Sequence, residues 1–243
     1  MNLIIDIGNT RAKLAAFRND EVVQKWLWPA IEEEKLLRLI KRKNIKEIAL
    51  SSTRGIDEAM WKRLGQQLPV LILNAKTALP ITNSYKTPKT LGKDRLSAAI
   101  AANDLFPKKN CLVIDAGTCI TYDLITQEGE YLGGGISPGV SMRFKAMNAF
   151  TAKLPLVKRK KEIELIGNTT DTALRSGGGL GAIFEVEGFI KAYRKKFSPL
   201  IVIFTGGDAD FFADNLKTKI FVNHNLVLRG LNKILNHNVG KKK

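Results

Sequence analysis

Two short segments repeat one arrangement of chemically useful residues: Leu3–Phe17 reads LIIDIGNTRAKLAAF, and Leu112–Ile125 reads LVIDAGTCITYDLI. Each runs through apolar, β-forming residues to an aspartate. A small or apolar residue, a glycine, a hydroxyl-bearing residue and a second β-like run follow. Glycine permits the tight reversal that a short hairpin needs, so each segment predicts a strand, a turn and an antiparallel return strand. Such a turn is suited to a triphosphate. Its open backbone lets N–H groups approach phosphate oxygens, and Thr10 and Thr118 add hydroxyl donors. Asp6 repels phosphate and is therefore expected to face a divalent cation, Mg²⁺, directly or through water. Lys13, on the return strand, offers the phosphates a point charge. A lone aspartate at a hairpin is an ordinary turn residue; two in matching surroundings point to a pair of phosphate loops in two homologous halves.

A further glycine pair, Thr205-Gly206-Gly207-Asp208, follows the apolar run Leu200–Thr205 and opens a helical stretch. Backbone this open lets a flat base or a ribose come close, which fits the adenosine side of a nucleotide. Gly133–Gly139 (GGGISPG) and Ser176–Gly181 (SGGGLG) are also dense in glycine. Neither has the form G-x-x-x-x-G-K-[ST], and neither carries the dinucleotide fingerprint, so a P-loop and a nicotinamide site are both excluded.

The elements that must hold these loops alternate in type. Pro29–Lys43 predicts a helix with acids in its first turn and bases in its last, matching the helix dipole. Ile45–Ser51 predicts a strand, Asp57–Leu68 a helix and Pro69–Leu73 another strand. Leu91–Asp104 (LGKDRLSAAIAAND) predicts an Ala-rich helix whose leading end carries Gly92, Lys93, Asp94 and Arg95. Beyond the second loop, Gly139–Asn148, Asp171–Arg194, Asp208–Leu216 and Val222–Leu235 predict helices, and Leu200–Thr205 a buried strand. Alternating β and α elements imply an α/β fold, mixed sheets covered by helices. The boundary is expected near Pro107–Asn110, giving halves of residues 1–109 and 110–243.

Composition narrows the chemistry further. Of 243 residues, 44% are hydrophobic and 26% charged, which excludes a disordered or fibrous chain. Two histidines are too few for a His-rich zinc site, and no G-x-S-x-G elbow accompanies them. No apolar run approaches about 18 residues, so no membrane partner is expected. Two cysteines do not make a disulfide framework and fit a reducing, cytoplasmic setting. The net charge of +16 suits a polyanion, either a nucleotide or a nucleic acid, but solvated helix faces produce the same balance.

DIGNTRAK, GKDR, DAGTCITYD, GGGISPGV and GNTTDTALRSG, in that order, resemble the motifs of the type III pantothenate kinases. That family belongs to the actin, sugar-kinase and Hsp70 ATPase superfamily, so the resemblance implies two ribonuclease H-like, actin-like ATPase halves. It implies ATP-dependent phosphorylation of pantothenate to 4′-phosphopantothenate, the first step towards coenzyme A, with Mg²⁺ as cofactor. By the same resemblance, Asp6, Ile7, Gly8, Asn9, Thr10, Arg11, Ala12 and Lys13 form the loop on the ATP phosphates, and Thr118 also meets ATP. Asp94 is then the general base that takes the proton of the pantothenate hydroxyl. Gly92, Lys93 and Arg95 line the substrate pocket, with Arg95 facing the pantothenate carboxylate, and Tyr85 contacts the same substrate. Asp115 binds a monovalent cation, K⁺ or NH₄⁺. Thr170 reaches the pocket from the neighbouring subunit of a homodimer.

Taken without the resemblance, these residues have plainer readings. Asp94 reads as a helix cap, Arg95 as a surface ion pair, Tyr85 as a loop aromatic and Thr170 as the cap of the Asp171–Arg194 helix. Asp115 reads equally as a second divalent-metal ligand. Lys93 departs from the family pattern, where a small residue such as Ala is common, and adds a charge beside the base. Two other functions compete with the kinase. A ribonuclease H-like nuclease would use first-strand acids and a basic surface, but has no use for twin Asp-Gly-Thr loops. The related accessory-factor proteins suggest a transcriptional regulator, yet no helix-turn-helix or base-reading helix is evident, so no nucleic-acid partner is expected.

Overall fold

The computed structural model describes residues 1–8 and 10–239. The chain divides into two compact units, one formed by Met1–Leu105 with the chain from Asn225 onward, the other by Phe106–His224.

The first unit is built on a sheet in the order β3-β2-β1-β4-β5. Its strands are β1 (Asn2–Ile7), β2 (Ala12–Arg18), β3 (Glu21–Trp28), β4 (Glu47–Ser52) and β5 (Val70–Ile72). β1, β2 and β3 form an antiparallel meander, and β4 and β5 continue the sheet in parallel from β1. The helices are α1 (Glu33–Lys43), α2 (Glu58–Gly65), α3 (Lys93–Leu105) and, from the far end of the sequence, α8 (Leu226–Val239); a two-residue strand, β6, spans Thr82–Asn83. Side chains alternate across a strand. Leu3, Ile5 and Ile7 of β1 therefore share one face with Leu14, Ile48 and Leu50, and that face buries Leu36 and Leu39 of α1 and Met60, Trp61 and Leu64 of α2. Asn2, Ile4 and Asp6 point the other way. Asn2 Nδ2 reaches Asn232 Oδ1 of α8 at 3.0 Å, which identifies the second face as the one covered by α3 and α8.

The second unit repeats this plan with β7 (Asn110–Ala116), β8 (Cys119–Ile125), β9 (Glu130–Pro138), β10 (Leu200–Thr205) and β11 (Phe221–Val222). Its strands run β11-β10-β7-β8-β9: an antiparallel meander, with β10 and β11 continuing in parallel from β7. The helices are α4 (Val140–Ala149), α5 (Thr170–Arg175), α6 (Gly181–Lys196) and α7 (Ala209–Asn215). Leu112, Ile114 and Ala116 of β7 pack with Phe144, Val186, Ile190 and Phe212 in its core. The expected pair of similar halves with mixed, helix-covered sheets is thus present.

Three expectations change in detail. The stretch Asp171–Arg194 is not one helix: a five-residue π turn, Ser176–Leu180, separates α5 from α6, and its glycines offer no side chains to hold a regular turn. Strands β3 and β9 were not anticipated, since β9 contains the glycine run that reads as a loop. The expected second half ran from 110 through to the last residue, whereas α8 joins the first unit.

The close packing of α8 on α3 explains that return. A Cβ built at Gly230 would lie 1.7 Å from the carbonyl oxygen of Ser97, so only glycine lets the two backbones approach this far. Lys233 Nζ then meets Asp20 Oδ2 at 2.8 Å and Asp104 Oδ1 at 3.0 Å, and Asn232 Nδ2 donates to the carbonyl of Asn19 at 2.8 Å. Gly230→Ala is expected to destabilise the protein by about 2 kcal/mol or more through overpacking. Gly65→Ala, where an added methyl meets open space in a helix, should be neutral or stabilising by about 0.5–1 kcal/mol. Urea denaturation of the two variants checks the contrast.

Candidate active site

In the first unit the predicted hairpin forms as expected. Asp6 pairs with Lys13 across β1 and β2, and Gly8 N donates to the Arg11 carbonyl at 3.1 Å to close the turn. Thr10, Arg11 and Lys13 are exposed, while Ile7 and Ala12 belong to the core. Asn9 lies outside the described residues.

Asp6 is only 7% exposed, and its carboxylate stands on the face covered by α3 and α8. Directly opposite in the parallel register is Ser51, whose Oγ donates to Asp6 Oδ1 at 2.6 Å. Burial pushes the Asp6 carboxyl above its usual range. The Ser51 hydroxyl partly offsets this, the charge of Asp94 raises it further, and Lys13 draws it down. Ser51 was not singled out from the sequence. Its signal was a polar residue ending a strand of buried apolar ones, in a position to pair with the first-strand acid.

Asp94 occupies the first turn of α3 and is half-buried. Its charge acts on Asp6, so the two carboxylates stand within electrostatic reach of each other in this unit. Asp94 Oδ1 accepts from the backbone N–H of Arg95 at 2.9 Å. Arg95 is buried, with its guanidinium carbon 5.8 Å from the centre of the Tyr85 ring. This cation–π contact joins two residues ten positions apart that had been assigned separately to one pocket. Gly92 lies tight against the pair, for a Cβ there would sit 2.6 Å from Asp94 Oδ1. Lys93 Nζ lies 3.4 Å from the Ser52 carbonyl at the end of β4.

The second unit assembles its own loops. Asp115 ends β7 half-buried, and Thr118 is exposed at the turn. The Gly206 turn closes directly on this aspartate: with φ at +93°, a side chain there would be strained and would meet Asp115 Oδ1 at 2.4 Å. Asp208 N donates to the Ala116 carbonyl at 2.9 Å, locking the same turn onto the loop. Gly139 N donates to the Thr118 carbonyl at 3.0 Å, so the Gly-dense segment before α4 buttresses the loop's other side. Behind it, Glu185 of α6 gathers Tyr122, Ser137 and Arg143, a cluster that sequence reading missed because its members lie on four elements. Thr170 is exposed in the first turn of α5; the cap is Thr169, which forms a reciprocal capping box with Thr172.

A single buried carboxylate with one oxygen committed to Ser51 fits Mg²⁺, which takes one or two protein carboxylates and completes its shell with phosphate and water. No cluster of three or more His, Cys, Asp or Glu that could hold a metal ion stands among the described residues. No helix there is long and apolar enough to cross a membrane.

The buried Asp6 carboxylate gives a signed prediction. Its folded-state pKa is raised, so the fold disfavours the charged form. The cost is absent below the unfolded-state pKa and grows as the pH rises through the folded value. Asp6→Asn should therefore raise Tm at about pH 7.5, by roughly 2–4 °C per kcal/mol relieved, with the gain fading towards about pH 4. Calorimetry across that range checks it, and a Tm that falls at neutral pH contradicts it.

The chain as a whole is similar to known proteins in sequence and in fold. The family model described as type III pantothenate kinase matches residues 2–192. A type III pantothenate kinase from Phocaeicola vulgatus is 46% identical over 98% of this chain and 99% of its own length. Among solved structures, a Baf family protein from Campylobacter jejuni shares the fold with a TM-score of 0.64 at 23% identity, covering 98% of this chain and 99% of that one. A ROK hexokinase from Thermus thermophilus does so at 0.53 and 13%, over 98% and 99% of the two chains. With full-length similarity in sequence and the doubled sheet of the sugar kinases in its fold, the chain belongs to the type III pantothenate kinase family.

Proposed function

We propose that the chain transfers the γ-phosphoryl group of ATP to the hydroxyl of pantothenate, with the chemistry centred on the α3 face of its first unit. The observation that carries this reading is the buried Asp6 of the phosphate hairpin lying within the electrostatic reach of Asp94. Phosphoryl transfer is mostly positioning and charge stabilisation, with one carboxylate orienting the acceptor hydroxyl. Asp94 takes the hydroxyl proton, while Asp6 holds Mg²⁺ against the phosphates. Mg²⁺, when bound, supplies charge neutralisation on the nucleotide. Arg95, stacked on Tyr85, receives the pantothenate carboxylate, since a buried guanidinium is the strongest available partner for that group.

In the second unit, Thr118 contacts the nucleotide, the Gly206 turn accepts its adenosine side, and Asp115 holds K⁺ or NH₄⁺. The reading includes a homodimer in which Thr170 enters the neighbouring pocket. It is supported by the exposure of Thr170 and of large apolar residues in the same unit, among them Phe150, Leu165, Ile166 and Phe184. A cytoplasmic setting agrees with two cysteines that are not joined in a disulfide.

The test is ADP release by the purified chain with ATP and Mg²⁺, with and without pantothenate, in sodium and then in potassium buffer. Pantothenate-dependent turnover that rises with potassium is expected, and Asp94→Asn should lower kcat by roughly 10²–10⁴. An unchanged kcat in that variant would remove Asp94 as the base. Equal rates in both buffers would remove the cation from Asp115. Sedimentation of a monomer at assay concentration would remove the shared pocket.

A further inference from the structure

An aspartate just ahead of a helix ordinarily turns its side chain onto the first free N–H groups and caps them. Asp208, which precedes α7, makes no such bond. Its Oδ1 instead meets Arg159 NH1 at 2.8 Å, and the guanidinium carbon of Arg159 stands 4.9 Å from the centre of the Phe211 ring on the same helix. Burial pushes the Asp208 carboxyl above its usual range, and the Arg159 charge draws it back. Ion pairs at a protein surface contribute little, because both side chains wander and water screens them. This pair is better held. The Asp208 and Arg159 side chains are 18% and 33% exposed, and the aromatic ring supports the guanidinium.

Arg159 is also fixed at its backbone. Residues 151–169 contain no helix or strand, yet the stretch is fastened on either side of Arg159. Val157 is buried in the core of the second unit, and Arg175 Nε donates to the Lys158 carbonyl at 2.9 Å. Lys161 Nζ lies 3.0 Å from Asp214 Oδ2 of α7.

Asp208 passes this anchorage to the second loop. Its N–H donates to the Ala116 carbonyl at the end of β7, at 2.9 Å, so one residue is held by its backbone and by its side chain. Between Asp208 and β10 lie Gly206 and Gly207, which bring no side chain to restrict the turn. A Cβ built at Gly207 meets nothing within 4 Å, whereas one at Gly206 would lie 2.4 Å from Asp115 Oδ1. A turn this permissive keeps one shape only if both ends are fixed. Strand β10 fixes the first end, and Asp208 fixes the second.

We propose that Arg159 is a positioning residue for the nucleotide: through Asp208 it holds the Gly206–Asp208 turn against the Asp115–Thr118 loop before ATP arrives. A site already in its bound shape spares the ligand the cost of ordering it, so the effect falls on nucleotide affinity. Arg159 takes no part in the transfer itself. The inference rests on the kinase reading above, in which this turn and this loop receive ATP, and adds what keeps them in place.

The experiment compares Arg159→Gln, Arg159→Lys, Asp208→Ala and the double variant Arg159→Gln/Asp208→Ala with the parent chain. Lys161→Gln, which removes the neighbouring ion pair, serves as the control. Calorimetric binding of ADP with Mg²⁺, the KM values for ATP and pantothenate, kcat and Tm are measured for each. Arg159→Gln is expected to weaken ADP binding and raise the ATP KM by roughly tenfold, with kcat and the pantothenate KM within about twofold. Arg159→Lys should recover part of the loss. Asp208→Ala should match Arg159→Gln, and the double variant should lose no more than either, because both residues act along one path. Parental ADP affinity in Arg159→Gln, whatever its Tm, overturns the proposal. Equal rises in both KM values do so too, since they report general loosening. Losses that add in the double variant would put Arg159 in direct contact with the nucleotide, and an equal loss in Lys161→Gln would assign the effect to the whole segment; either result overturns the path through Asp208. A parent chain that binds ADP without phosphorylating pantothenate would remove the kinase reading, while the ADP measurements would still decide the role of Arg159.

Discussion

The hydrogen bond from Ser51 to Asp6 is the constraint on which the first unit turns. A carboxylate placed inside a sheet of valine-like packing is costly unless its oxygens are satisfied. Here one oxygen is satisfied by a hydroxyl from the strand next in line, and this requires β1 and β4 to hold their parallel register to the residue. A slip by one position would turn Asp6 towards the Trp61 and Leu36 core and Ile5 towards the site. The same register sets Ser52 beside Ile7. Apolar burial on the α1 and α2 face enforces the register, and the chemistry on the opposite face inherits it.

The two units share a strand order but not an environment. Asp6 is enclosed, with a serine partner and a second carboxylate nearby. Asp115, its counterpart, is half-exposed and closed over by the Gly206 turn instead of by a helix that brings a second carboxylate. Nothing equivalent to the GKDR segment follows β11, the counterpart of β5. One duplicated scaffold thus presents two aspartates with different surroundings, and surroundings decide what a carboxylate can do.

Much of this was legible in the sequence because the signals were local. The Asp-Gly hairpins, the acid-to-base polarity of α1 and the Ala-rich α3 each follow from short-range rules, and each appears where expected, with α1 starting a few residues late at Glu33. What stayed hidden was long-range. Strand β9 forms through three consecutive glycines because Gly134 passes against the Tyr122 backbone, where a side chain would not fit. The Arg95–Tyr85 contact and the Glu185 cluster depend on elements brought together only by the fold. Ser51 was unremarkable until its partner strand was known. The reach of Lys93 to Ser52 likewise has no trace in a window of neighbouring residues.

The return of α8 to the first unit has a bearing on how the molecule is made. Residues 106–224 form their unit from one uninterrupted stretch of chain, whereas the first unit needs a helix that leaves the ribosome more than a hundred residues after α3. Domains acquire structure as their segments become available during synthesis. The half that emerges first is therefore completed last, and until then the α3 surface that receives Gly230 has no cover. Asp94 and Arg95 take up their final places only once α8 has been made, so competence for chemistry waits on a segment synthesised after the whole second unit.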